Sequence, residues 1–223
     1  MAKLTEYFEQ FALISLEKQD KMDLLFGEHS YDLDLDTGKI RFNDNLDVAF
    51  QVLGTESDNT LIWLWAWADE QTEEVPVDLL KASRDLRDWG SREGVPEFTL
   101  PAVDLHQADG HVISMIACEL CKASCYLRDA YEGGSAFLLL YDKLIDAQPF
   151  FDLSRLSRRF LDLISRYEIN HRNVLLSYLR IRGIPLAENG STVTGDLDTG
   201  ERLSAEFDNA GRLTRLNGEA ITT

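Results

Sequence analysis

The chain has 223 residues, an apolar fraction of 44% and a formal charge of −17, from 39 acidic and 22 basic side chains. The apolar fraction is high enough for a packed core and excludes a disordered acidic tail. Because such an acidic surface repels nucleic-acid phosphates and anionic lipids, we expect neither nucleic acid nor a membrane as a partner. No run approaches the roughly 18 apolar residues of a membrane span, and no secretory signal pattern occurs, so a cytoplasmic protein is expected.

Residues 3–26 have the spacing of an amphipathic helix, in which Leu4, Phe8 and Phe11 share one face. Gly27 then provides a helix stop. From residue 31 the apolar residues alternate with aspartates in YDLDLD, and the alternation resumes in KIRF after Thr37-Gly38. This pattern predicts a β-hairpin.

The segment DLDTG occurs at 34–38 and again at 196–200, and it could be a calcium loop, an internal repeat or a turn. An EF-hand loop has glycine at its sixth position and glutamate at its twelfth, but counting from Asp32 gives glycine at the seventh and Asn43 at the twelfth. The two copies also have different flanks, which argues against a duplicated domain. We therefore predict two tight hairpin turns with glycine at positive φ.

In the first hairpin, the solvent-facing aspartates would lie opposite Lys39 and Arg41 on the neighbouring strand. Two further strands are predicted at 46–54 and 60–68. The second contains LIWLWAWAD, in which Trp63, Trp65 and Trp67 share one face and apolar residues occupy the other. A strand that is apolar on both faces is expected to be buried on both.

The remaining elements complete an α+β fold. We predict a helix from Pro76 to Trp89 closed by Gly90, an extended segment at 97–104, a buried helix at 109–122 and a hairpin of strands 124–131 and 135–142. Two helices are predicted at 151–167 and 170–182, with Asp152 and Asn170 as N-caps and Gly183 as a stop. A polar β-meander is predicted at 192–198, 202–207 and 212–216. The predicted domains are residues 1–150, an α+β domain with a central antiparallel sheet, and residues 151–223, a helical pair with the meander docked on the first.

The strand LIWLWAWAD, followed by the helix VDLLKASRDLRDWG, resembles a group of uncharacterised bacterial proteins that carry a W-x-W-A-W-A segment. In that group asparagine or serine usually follows the segment, whereas Asp69 follows it here. The resemblance covers roughly residues 30–142. It implies an α+β bacterial protein and implies no activity.

Cys118, Cys121 and Cys125 form a C-x2-C-x3-C pattern that could hold an iron–sulfur cluster or zinc. A closed site needs a fourth ligand, and the chain has no fourth cysteine. At spacings of three and seven residues the three thiols would share one helix stripe, and buried free cysteine packs as a small apolar residue. We therefore predict part of a core helix rather than a metal site.

Asp104, His106, Asp109 and His111 lie within eight residues and could bind zinc or take part in acid–base chemistry. No metal motif such as HExxH is matched, and Asp109-Gly110 is typical of a turn with an N-cap before a helix.

The segment 151–183 holds seven arginines against three acidic residues, and we interpret it as two basic helices docked on an acidic body rather than an anion site.

No nucleotide-binding, nucleophile-elbow or kinase motif occurs, so we favour a non-enzymatic protein and predict no metal or cofactor. The main prediction is an acidic protein that sequesters a basic protein partner. Immunity proteins that neutralise a cognate bacterial toxin are one such class, by analogy of size and composition. The sequence does not indicate an oligomeric state. Exposed hairpin aspartates would steer the partner, with Trp89 or Trp67 as an anchor, and these aspartates are Asp32, Asp34, Asp36, Asp58, Asp196 and Asp198.

The alternative is a small-molecule-binding or enzymatic α+β domain. Its pocket would lie between the 31–68 sheet and the 109–122 helix. Trp63, Trp65 and Trp67 would form one wall, and the polar groups would be Asp104, His106 and His111. This alternative predicts a closed cavity lined by at least two of the tryptophans.

Overall fold

The structure, a computed structural model, describes residues 2–43, 45–70 and 75–221. The α-helices are α1 Ala2–Phe26, α2 Lys81–Glu93, α3 Gly110–Leu120, α4 Lys143–Asp146, α5 Leu153–Arg166 and α6 His171–Ile181. The strands are β1 Tyr31–Asp34, β2 Lys39–Phe42, β3 Leu46–Ser57, β4 Ile62–Trp65, β5 Ala102–Asp104, β6 Cys125–Tyr131, β7 Gly134–Tyr141, β8 Leu186–Asn189, β9 Thr192–Asp196, β10 Glu201–Phe207 and β11 Leu213–Ala220. The predicted α+β class, with an N-terminal helix and a β-meander, is confirmed.

The twelve-residue strand β3 organises a seven-stranded antiparallel sheet. One edge of β3 pairs with β7, which in turn pairs with β6. The other edge pairs first with β2 of the β1–β2 hairpin and then, after a register shift between Val52 and Gly54, with β4 of the β4–β5 pair. Strand β4 ends at Trp65, so the predicted strand 60–68 is too long and Trp67 lies in a turn.

One face of this sheet packs against the C-terminal part of α1. Met22 and Phe26 of the helix share a buried cluster with Phe42, Phe50 and Leu138 of the sheet. Helix α3 contacts β3, β6 and β7, and its Gly110 touches Phe137, whose side chain points to the opposite face from Leu138. The sheet is therefore covered by helices on both faces over part of its area.

Local capping chemistry explains where the helices start. Asp109, Asp152 and Asn170 accept hydrogen bonds from backbone N–H groups in the first turns of α3, α5 and α6, as predicted. The predicted stop at Gly90 is wrong, because Gly90 is buried inside α2 and the left-handed residue that ends the helix is Gly94, at φ 68°. A glycine near a helix end is ambiguous until packing decides which one leaves the helix.

The strands β8–β11 form a separate four-stranded antiparallel meander. The strand β8 was not predicted, because its sequence LAEN lacks a clear alternation. The buried residues of the adjacent strands alternate with polar ones, as in Val193, Leu203 and Ala205. No helix in the described ranges is long and apolar enough to cross a membrane.

The chain divides into two compact units. We call Lys18–Gln148, together with the start of the chain up to Leu4, the sheet unit. We call Thr5–Glu17 with the chain from Pro149 onwards the C-terminal unit. Helix α1 supplies residues to both units. The division into domains 1–150 and 151–223 stays a prediction.

Candidate functional site

The negative charge of the chain is concentrated in the sheet unit. That unit carries 26 acidic and 12 basic side chains, a net charge of −14, whereas the C-terminal unit carries 13 acidic and 10 basic side chains, a net charge of −3. A field of this sign raises the local concentration of cationic groups near the sheet unit.

The first DLDTG segment makes the turn of the β1–β2 hairpin, and the second joins β9 to β10. Their glycines, Gly38 and Gly200, have φ values of +64° and +79°, a region that glycine adopts without steric cost. The turn interpretation of both segments is therefore confirmed. In the first copy, the carboxylate of Asp34 accepts hydrogen bonds from the N–H groups of Thr37 and Asp36 at 3.1 and 2.9 Å. These bonds, with that of Thr37 the largest cause, hold the pKa of Asp34 below its ordinary value.

The hairpin register places Asp32 opposite Arg41 and Asp34 opposite Lys39, as predicted. Arg41, however, also forms an ion pair with the other neighbouring strand. The Nε and Nη2 atoms of Arg41 donate to the two carboxylate oxygens of Asp47 on β3 at 2.7 and 3.3 Å, and the Lys39 ammonium lies 3.8 Å from Asp47. The guanidinium lowers the pKa of Asp47 below its ordinary value.

Asp47 therefore engages both cations of this face. Within the part of the chain that the structure describes, the carboxylates of Asp32 and Asp36 have no ion pair, and both side chains are exposed. The face forms an open groove of about 420 Å³ with acidic, basic and apolar lining residues, namely Asp32, Leu33, Asp34, Thr37, Lys39, Arg41 and Asp47.

The other predicted partner contacts have mixed surroundings. Asp58 is exposed at the end of β3, where its N–H donates to the carbonyl of Gly133 at 3.0 Å. Asp198 is also exposed. Asp196, in contrast, makes a bidentate ion pair with Arg202 at 2.6 and 2.9 Å, which lowers its pKa.

Both predicted anchors are half-buried. Trp89 packs edge-to-face on Phe98, with ring centroids 5.3 Å apart. The Arg87 guanidinium lies 5.3 Å from the Trp67 ring centroid. Trp67 also lines a groove of about 310 Å³ together with Ala66, Leu80 and Arg84.

The other two tryptophans of the W-x-W-A-W-A segment belong to the core. Trp63 and Trp65 are fully buried and pack edge-to-face at 5.4 Å. The indole N–H of Trp65 donates to the carbonyl of Glu97 at 2.9 Å. The three rings therefore do not share one wall, since Trp67 lies beyond the end of β4.

The two aspartates of the predicted polar cluster at 104–111 accept hydrogen bonds from backbone N–H groups of neighbouring residues. Asp104 accepts the N–H of His106 at 2.8 Å, and Asp109 accepts the N–H of Val112 at 2.8 Å. His106 is exposed, whereas His111 is half-buried, with its Nδ1 2.9 Å from the hydroxyl of Tyr126. Among the described residues, no group of three or more histidine, cysteine or acidic side chains is arranged to hold a metal ion.

The three cysteines form no disulfide bond, and they do not share one helix, contrary to the prediction. Cys118 lies in α3, Cys121 caps its C-terminus, and Cys125 begins β6. Lys122 between them has φ +54°, and the chain leaves the helix there. Burial raises the pKa of the Cys121 thiol to about 12 and that of Cys125 well above its ordinary value.

The sequence does not single out the buried carboxylates of the described residues, of which Glu56 and Glu17 are two. Glu56, which is 8% exposed, accepts the N–H of Gly110 at 3.2 Å and pairs with Arg128 at 3.2 Å. Glu17, which is 1% exposed, lies within the C-terminal unit. For Glu17 a signal exists, because it follows the buried Leu13 by four residues on an apolar helix stripe.

No curated protein sequence and no solved structure matches this chain. A comparison with protein families matches residues 5–143, more than half of the chain, to a family of unknown function, DUF6882. The matched range includes the W-x-W-A-W-A segment and the whole span of 30–142 that the resemblance covers. The chain is therefore a member of this family of unknown function, DUF6882.

Proposed function

We propose that the chain is an acidic binding protein that captures a basic protein partner, with the β1–β2 hairpin as a first contact. The observation that carries this proposal concerns Asp32 and Asp36, which are exposed and have no ion pair with any residue that the structure describes, on the unit with net charge −14. Paired surface charges contribute little to recognition because their fields largely cancel. Unpaired ones remain available to an incoming cation.

The hairpin is suited to present these charges. Its turn is fixed by the hydrogen bonds of Asp34 and by the left-handed Gly38, so little conformational entropy is lost when a partner binds. The lowered pKa of Asp34 keeps its carboxylate ionised in mildly acidic solution. Bacterial toxins with basic surfaces are one class of partner that such a face fits.

Trp63 and Trp65 pack against other side chains of the core, so the predicted pocket wall loses two of its three tryptophans. Partner binding is therefore the function that we carry forward, in preference to a small-molecule site. We assign the hairpin the role of electrostatic steering, which speeds association and is weakened by salt.

The test is capture from a lysate of the source cells at about 50 and 300 mM salt, a range across which screening of exposed charges increases strongly. The bait variants are wild type, D32N/D34N/D36N and a control, E28Q/D78N/E168Q, which removes the same charge from exposed positions that have no predicted role in binding. We expect wild type to capture one basic protein in a stoichiometric amount. High salt and the hairpin substitutions should each reduce the amount captured. Equal capture by the two triple variants would overturn the role of the hairpin, and no salt-sensitive capture would overturn the function.

A further inference from the structure

The sheet face that receives α1 is covered over only part of its length. Near the middle of β3, Val52 and its partners Leu138 and Leu127 are buried in the same cluster as Met22 and Phe26 of α1. Beyond the register shift of β3, the same face continues towards the ends of β3, β4, β6 and β7, where the buried cluster has no members.

The register identifies the side chains of this continuation. Thr55 pairs with Leu64 and Ala136, and Ser57 pairs with Ile62. The ring of Tyr131 lies over Gly134, the other partner of Ser57. We call this set the open face, and its residues are Thr55, Ser57, Ile62, Leu64, Tyr131 and Ala136.

Within the described part of the chain, large apolar residues of the open face are accessible. Ile62 is 38% exposed and Tyr131 is 53% exposed, and Thr55, Leu64 and Ala136 are half-buried. Apolar side chains that adjoin one another on a regular sheet face are consistent with an interaction surface.

The relief of the open face suits a helix. Small residues of β3 and β7 form the floor, between Ile62 and Leu64 on β4 and Tyr131 on β6. The strands β4 and β6 are three strand spacings apart, about 14 Å. An α-helix with its side chains is about 10–12 Å wide and fits between them.

The rim of the open face is acidic. Asp104 pairs with Ile62, and Asp58 follows Ser57. Asp129 pairs with Ala136, and its Oδ1 accepts a hydrogen bond of 2.8 Å from the hydroxyl of Tyr31 on β1, so its other carboxylate oxygen is the one offered to a partner. None of the paired positions on this face of β3–β7 beyond the register shift holds a lysine or an arginine. A helix that binds here would therefore carry basic residues beside its apolar stripe.

An anchoring groove lies at the β5 end of this face. It has a volume of about 330 Å³, and Leu61, Ile62, Val103 and Asp104 contribute to its lining. Leu61 is 45% exposed and has φ +54°, so a leucine occupies a backbone conformation and an environment that both disfavour it. A residue that is unfavourable in the free protein is consistent with a role in binding.

We propose that the open face binds an amphipathic helix with basic flanks, supplied by the partner. This inference rests on the proposed function and locates a second, apolar contact for the same partner. The partner helix would extend the layer that α1 forms on this face, with an apolar side chain in the groove beside Leu61 and lysines or arginines near Asp104 and Asp129.

The probe is a fluorescein-labelled 18-residue peptide of leucine and lysine with one apolar helical face, titrated at 150 mM salt against the full chain. A second peptide of the same composition has its leucines distributed around the helix, and it reports attraction by charge alone. The protein variants are wild type, I62E, D32N/D34N/D36N and L144E, which is a matched control because Leu144, at 50% exposed, is likewise a large apolar side chain on the surface.

We expect the amphipathic peptide to bind wild type at least ten-fold more tightly than the scrambled one. I62E should abolish this difference and L144E should keep it, whereas D32N/D34N/D36N should weaken both peptides equally. The proposal is overturned if the two peptides bind equally or if I62E behaves as L144E does. It is also overturned if wild type sediments as a dimer that I62E dissociates, because the occupant would then be a second copy. If capture from the lysate is salt-sensitive and is lost in D32N/D34N/D36N but not in I62E, the proposed function is supported and this inference is not.

Discussion

The carboxylate of Glu17 accepts a hydrogen bond of 2.7 Å from the hydroxyl of Tyr178, and both groups are buried in the C-terminal unit. The same Oε2 accepts the N–H of Phe151 at 2.9 Å, and Oε1 lies 3.1 Å from Nε of Arg182. The Arg182 guanidinium lies over the ring of Phe150 at 3.2 Å. Glu17 of α1 thus provides the hydrogen-bond or ion-pair partner for three groups: the N–H of Phe151 before α5, the hydroxyl of Tyr178 in α6 and the guanidinium of Arg182 just after α6.

Removing this carboxylate is expected to destabilise the C-terminal unit. E17A leaves the half-buried Arg182 without this ion pair and the Phe151 N–H without its acceptor, so a loss of about 3–5 kcal/mol is expected. Y178F removes one hydrogen bond to a charged group and should cost about 1.5–3 kcal/mol. Urea unfolding measures both, with E6A on the exposed side of α1 as a control near zero. A loss below about 1 kcal/mol for E17A would contradict the assigned role.

Gly110 lets α3 approach the sheet. A Cβ at this position would lie 2.4 Å from two ring atoms of Phe137 and 2.9 Å from a carboxylate oxygen of Glu56. Although alanine is the better helix former by about 1 kcal/mol, we expect G110A to destabilise the protein by about 1–3 kcal/mol through overpacking.

The smaller side chain in F137L should recover part of the loss in the double variant G110A/F137L. Thermal unfolding of the two single variants and the double variant forms a cycle. Additive effects of the two substitutions would show that the contact between residue 110 and Phe137 is not the cause.

Leu61 is expected to be suboptimal for stability. Its φ of +54° costs a leucine about 1–2 kcal/mol, whereas asparagine tolerates this region. L61N relieves this backbone strain but loses the apolar contacts of the partly buried leucine. We therefore expect a net stabilisation of the free protein by about 0.5–1 kcal/mol and a higher melting temperature. A lower melting temperature would show that the contacts of the leucine outweigh its backbone strain.

The C-terminal unit is expected to lose stability as the pH falls below about 6.5. His171 Nδ1 accepts the N–H of Leu213 at 3.0 Å, which requires that this nitrogen carry no proton. Burial, the largest cause, lowers the pKa of His171 from its ordinary 6.5. The unfolded chain therefore binds a proton at a higher pH than the folded one, and the contribution is present above pH 6.5 and lost below it.

Urea unfolding at pH 7.5 and 5.5 measures this effect, with H171Q as the variant that cannot titrate. Wild type should lose more unfolding free energy than H171Q between the two pH values. Equal losses would assign the pH dependence to other groups.

The cysteines are expected to react slowly with thiol reagents. The thiolate is the reactive form, and a pKa of about 12 leaves little of it at Cys121 at pH 8. Cys118 and Cys125 are also fully buried. A colorimetric thiol assay should detect all three groups in denaturant and very little fast reaction without it, and rapid labelling of the native protein would contradict this packing.

Much of the fold follows from local sequence signals. The helix caps Asp109, Asp152 and Asn170 were predicted because a short polar side chain before an apolar repeat has a direct local use. Both DLDTG turns were predicted because aspartate and glycine favour that backbone. These features depend on neighbours within a few residues, so the sequence alone contains their cause.

Other features depend on contacts between distant segments. The sequence shows Arg41 between two acidic strands, but only the register of β2 with both neighbours decides that Asp47 engages it and leaves Asp32 unpaired. The alternation of the sequence predicts that Trp63, Trp65 and Trp67 share one face of a strand. Strand β4 ends at Trp65, so Trp67 does not lie on that face.

The sequence by itself determined the α+β class, the acidic surface and the turns of this protein, because backbone propensity, apolar periodicity and net charge are local or additive quantities. Only the tertiary structure decided which charges are neutralised, which glycine ends α2 and where a sheet face lies open. Each of these is set by pairing and packing of residues that are far apart in sequence, and no local pattern specifies such a distance.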